Sequence, residues 1–95
     1  MILDHPDARP GTYLGSPALF VGDRVIAGEH DGQVYVRLEP AELQTLLSLP
    51  GAFPFAPRGR VLPEFAVLPA DMPAPERRVW LDRAIAWARR SAPVT

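Results

Sequence analysis

Every basic side chain in this chain is an arginine, ten in all, with no lysine. A guanidinium presents a planar fork of donors that suits carboxylate and phosphate groups. Arg58 and Arg60 bracket Gly59, a spacing that fits a loop tip gripping an anion through backbone N–H groups and two guanidinium forks. Arg78, Arg83, Arg89 and Arg90, with Arg77 beside them, recur along one stretch near the C-terminus. On a helix they would form a basic face able to contact phosphates. Each also has a plainer meaning. A genome-wide compositional bias accounts for arginine without lysine, a basic helix face is usually the solvated side, and Glu76 and Asp82 offset this one.

The remaining polar residues offer less. Glu29-His30-Asp31 and the set Asp4, His5 and Asp7 contain metal-ligand types. Adjacent residues on a tight turn do not converge on one ion, and zinc takes well-spaced N or S donors. His5 falls in a Pro-rich stretch, so both sets are expected to be solvent-exposed. Ser16 and Ser48 have no base at a fixed spacing and no G-x-S-x-G context. The sequence therefore predicts no catalytic residues, no metal and no cofactor.

Composition narrows the classes further. A chain of 95 residues with 47% hydrophobic content makes a single domain, residues 1–95, with a small core. A net charge of -1 gives no overall field toward nucleic acid or an anionic membrane. With no cysteine, disulfides, thiolate chemistry and Cys-ligated zinc are excluded. No apolar run nears the roughly 20 residues that span a bilayer, and MILDHPDARP lacks the charge and apolar regions of a secretory leader. The expected location is the cytoplasm, with no membrane partner.

The elements that must position these residues follow from periodicity and turn chemistry. Residues 1–12 are dense in Pro and predict an irregular arm. Ala18–Leu38, ALFVGDRVIAGEHDGQVYVRL, reads as three strands joined at Gly22-Asp23 and at His30-Asp31-Gly32. Alternation puts Val34, Val36 and Leu38 on one face and Tyr35 and Arg37 on the other. Pro40 and Glu42 open a helix whose Leu43, Leu46 and Leu47 form an apolar stripe, ended by Pro50-Gly51. Glu64–Leu68 reads as a last strand, and residues 53–63 leave room for one more. A second helix runs from Pro75 to Arg90, with Trp80, Leu81, Ala84, Ile85, Trp87 and Ala88 on its apolar face and Pro93 as its stop. The fold class is α+β in two layers: an antiparallel sheet, a β-meander plus a further strand or two, with two amphipathic helices on one face.

These elements, in this order, carry a resemblance. Tyr13-Leu14-Gly15-Ser16 and Leu19–Gly28, then Val34–Leu38, Phe53-Pro54-Phe55, Gly59-Arg60 and Glu64–Pro69, closed by Trp80-Leu81 and Ala84–Arg90, resemble the TfoX N-terminal domain family of competence-regulator type. The related MmcQ/YjbR-like group shares the fold. The similarity spans residues 12–92. It departs from the family at Ser16, where a second glycine is usual, and in the Pro-rich arm, where the family has a helix.

The resemblance implies a small non-enzymatic binding or regulatory module acting through protein contacts. The alternative is a nucleic-acid-binding regulator using Arg58, Arg60 and the basic helix face. Tyr35 and Arg37, on the face away from the helices, are the expected partner-facing residues. The partner is another protein or a second copy, in a homodimer through the sheet face or an edge strand.

Overall fold

The computed structural model describes residues 4–90. Six strands, β1 Arg9–Tyr13, β2 Ser16–Val21, β3 Arg24–His30, β4 Gln33–Arg37, β5 Phe53–Pro54 and β6 Phe65–Val67, make one sheet. Its spatial order is β1-β2-β3-β4-β6-β5, antiparallel throughout. Helices α1, Pro40–Leu47, and α2, Ala74–Arg90, pack on one face. The α+β class with both helices on one side is as the sequence predicts. The expected stop at Pro93 lies outside the described residues.

Three successive hairpins each turn on two residues. The β3–β4 turn is Asp31-Gly32, both at positive φ (50° and 76°), which gives the twist that adjoining antiparallel strands need. The β2–β3 turn places Gly22 at φ 61° in its first central position. The β1–β2 turn is Leu14-Gly15, at φ 56° and 76°. That last hairpin corrects the expected arm: residues 9–13 are a strand, not irregular chain. Pro10 is tolerated because β1 is an edge strand. Gly11 accommodates Phe20, whose ring occupies the space a Cβ would take.

The helix side holds the larger core. Leu19, Ile26, Val36, Leu38, Leu43, Leu46, Trp80, Leu81 and Ile85 are buried there together. The other face is also covered. The chain between β5 and β6, with a 3-10 turn at Pro57–Gly59, folds back over it and brings Phe55, Leu62 and Phe65 against Tyr35 and Val25. Phe55 stacks on Tyr35 at 4.0 Å and 11°, and the phenol lies over Gly28, where any Cβ would collide with it. Tyr35 is 0% exposed. It is therefore not a partner-facing residue. Alternation fixed the face correctly, but the cover comes from a Pro-rich loop that alternation does not report.

The N-terminal residues also differ from expectation. His5 is 5% exposed. Its Nε2 lies 2.6 Å from Asp82 Oδ1 on α2, and its Nδ1 accepts the Asp7 backbone N–H at 3.0 Å. His5 on Asp82, with Asp7 3.7 Å from Arg89, ties this stretch to α2.

Candidate functional site

The arginines divide into paired and unpaired groups. Along α2, Arg78 Nε lies 3.2 Å from Asp82, one helical turn on. Arg83 Nε reaches Glu42 of α1 at 3.4 Å and covers the Trp80 ring at 4.7 Å. Arg89 lies 3.7 Å from Asp7 and Arg90 3.2 Å from Glu39. Arg37 bonds Glu64 at 2.7 Å and stacks over Trp87 at 5.4 Å, so this expected partner-facing residue is engaged within its own fold. Of the expected anion contacts, Arg78, Arg83, Arg89 and Arg90 are thus each committed to a carboxylate of the same chain. Arg58 and Arg60 are exposed, and among the described residues no carboxylate pairs with them or with Arg77.

Unpaired groups gather at one end of the sheet, around the β3–β4 turn. The strand pleat sends Glu29 and His30 to opposite faces. His30 points to the loop-covered face, its ring edge-on to Phe55 at 5.7 Å. Its Nδ1 is buried without a hydrogen-bond partner, and its Nε2 is 3.6 Å from Asp31. A small recess of about 170 Å³ lies between these two residues, Phe53 and Arg58. Arg60, expected to act with Arg58, does not line it. Because Glu29 and His30 diverge, the Glu29-His30-Asp31 run does not converge on one ion. Among the described residues no group of three His, Cys, Asp or Glu is placed to hold a metal.

On the helix side of the same turn is a larger pocket of about 510 Å³. Val34, Phe53, Val67 and Leu68 supply apolar walls, and Glu29, Asp71 and Arg77 supply charge. Four separate pieces of chain build it: the end of the β3–β4 hairpin, β5, β6 with its following connector, and the first turn of α2. Glu29 keeps its Oε1 buried with no hydrogen-bond partner. Phe53 is 42% exposed at the rim, among the few large apolar side chains so open. A carboxylate, a guanidinium and an apolar wall around one concavity can bind an amphipathic group carrying both a donor and an anion.

In the sequence Phe53 belongs to the resemblance and Arg77 to the basic helix face, and nothing marks either as part of a pocket. The signal that was available is the DG turn, which fixes Glu29 and Gln33 at the hairpin end. No local pattern announces the approach of Arg77.

The chain matches no family model, and no curated protein or solved structure matches it. Among the described residues, no helix is long and apolar enough to cross a membrane.

Proposed function

We propose that this chain is a small non-enzymatic binding module of regulatory type that acts through protein contacts, the role its resemblance to the TfoX N-terminal family implies. The observation that carries the reading is the pocket at the β3–β4 end, which joins an exposed Phe53 to the buried, unpartnered Oε1 of Glu29. Native structures pair nearly all their buried polar atoms, so an unpaired carboxylate oxygen beside an apolar concavity is where a second molecule completes the surface.

The nucleic-acid reading draws less support from the same structure. Four of its six expected guanidinium contacts already sit on carboxylates of the chain, which leaves Arg58 and Arg60 to neutralise phosphates.

The test is affinity capture with wild-type protein, Phe53→Asp and Val79→Asp. Val79 is likewise exposed, at 46%, but does not line the pocket. A protein retained by wild type and Val79→Asp and lost by Phe53→Asp supports the reading. Identical captured sets for all three overturn it. Micromolar, steeply salt-dependent binding of a DNA duplex that disappears in the Arg58→Ala/Arg60→Ala variant would put the alternative in its place.

A further inference from the structure

The pocket that carries the proposed function has a charge pattern specific enough to name a ligand class, and this step rests on that reading. Two carboxylates, Glu29 and Asp71, and one guanidinium, Arg77, border apolar walls from Val67, Leu68 and Phe53. Arg77 is half-buried in the first turn of α2 and lines the pocket. With no carboxylate partner of its own, its fork is open to a planar, bidentate acceptor. Glu29 lines the pocket and lacks a donor on one buried oxygen.

Polyanions fit this arrangement poorly, because two carboxylates oppose a single guanidinium. A purely apolar ligand leaves all three charges unpaired. A plain cation leaves Arg77 unmatched. The pattern fits a molecule that carries an ammonium, a carboxylate and an apolar body. The volume, about 510 Å³, falls in the ordinary small-ligand range of ~300–1,000 Å³.

We propose that this pocket binds a free apolar α-amino acid, its carboxylate on Arg77, its ammonium toward Glu29 and Asp71, and its side chain against Leu68 and Phe53.

The probes are L-leucine and L-phenylalanine, titrated by calorimetry and followed by backbone amide NMR shifts. Saturable binding is expected, with shifts confined to the β3–β4 turn, β5 and the start of α2. Glu29→Gln and Arg77→Met should each weaken it by about tenfold or more, as loss of a hydrogen bond to a charged group does. Arg90→Met, remote and ion-paired, should leave it unchanged and serves as the folded control.

N-acetyl-L-leucine and L-leucinamide separate the sources of this chemistry. Loss of binding with both requires the free zwitterion. Undiminished binding of N-acetyl-L-leucine overturns the proposal in favour of the C-terminus of a polypeptide, and undiminished binding of L-leucinamide does so in favour of an N-terminus. Absence of saturable binding of every probe at millimolar concentration, with the spectrum of a folded protein, also overturns it. That last result leaves the protein-contact reading standing if Phe53-dependent capture persists.

Discussion

Helix α2 treats its guanidinium groups differently at its two ends. Over its central and C-terminal turns, Arg78, Arg83, Arg89 and Arg90 each lie against a carboxylate, from α2 itself, α1, the N-terminal stretch or the β4–α1 junction. In its first turn Arg77 has none, and it borders a pocket where Glu29 holds a buried oxygen without a donor. Across the sheet from that pocket, His30 Nδ1 is likewise unpartnered. One region is self-satisfied: its exposed ion pairs add about 0–1 kcal/mol each, and its buried anchor is His5 on Asp82. The other retains polar groups whose cost the fold alone does not offset, the pattern expected where stability is traded for binding. The contrast has a measurable sign: truncations in the first region destabilise, while truncations of the unpaired groups in the second are neutral or stabilising.

The largest effect tests the frame that holds the second region. Phe55 is 1% exposed and stacks on Tyr35, which lies on Gly28. Phe55→Ala should cost about 3–5 kcal/mol in urea unfolding, the range for a buried aromatic truncation. The near-UV signal from Trp80 and Trp87, on the helix side, should persist below the lowered transition. A loss under about 1 kcal/mol would mean that the loop is a loose cover and that Tyr35 is accessible after all.

Next in size is the anchor of the N-terminal stretch. His5→Leu removes a buried ring together with its bonds to Asp82 and the Asp7 amide, and should cost about 1–3 kcal/mol. The Asp82 carboxyl is held below its usual range chiefly by the His5 hydrogen bond, with the Arg78 hydrogen bond and charge adding to it, against the opposing effect of burial. A lowered carboxyl in the folded state contributes stability above its unfolded value, about pH 3.9, and loses it as pH falls through the lowered value. The variant should therefore show a shallower loss of stability between neutral pH and pH 3. An unchanged acid profile would remove Asp82 from the self-satisfied region.

The first hairpin and this anchor also show where the sequence is opaque. The β2–β3–β4 meander was legible because Gly22-Asp23 and Asp31-Gly32 are residues that adopt left-handed backbone cheaply. The β1–β2 turn puts Leu14 at φ 56°, and a leucine announces no turn, so the strand before it reads as irregular chain. The apolar face of α2 was legible from its period, and Trp80 is core as that period implies. The ion pairs were not, since Glu42 and Glu39 approach Arg83 and Arg90 only once α1 and α2 lie side by side. The same holds for the pocket, whose charged residues lie on three separate segments. Their identities were visible, but their convergence is a property of the fold.

A smaller effect, of opposite sign, tests the second region directly. Glu29→Met replaces a partnerless carboxylate with an apolar chain of similar length, and should raise stability by up to about 1 kcal/mol at neutral pH while it weakens binding of L-leucine. Both changes in one variant are what the contrast requires. Destabilisation comparable to that of His5→Leu would show that Glu29 is structural and that the two regions do not differ in kind.

The smallest effect at neutral pH is expected at Tyr35. Its hydroxyl is buried without a partner, so Tyr35→Phe breaks no hydrogen bond and keeps the stack with Phe55. Stability at pH 7 should stay within about 1 kcal/mol of wild type. At high pH the two proteins should separate. Burial pushes the phenol above its ordinary range, and the nearby Tyr13 adds to the shift. An acid whose folded value is raised keeps its full contribution below the unfolded value, about pH 10, and loses it as pH climbs beyond that. Urea midpoints measured at pH 7 and pH 10.5 should therefore fall more for wild type than for Tyr35→Phe. Equal alkaline losses would mean that the loop opens to let Tyr35 ionise in the folded protein. The cover over this face would then be mobile, and the surface expected around Tyr35 would be available to a partner.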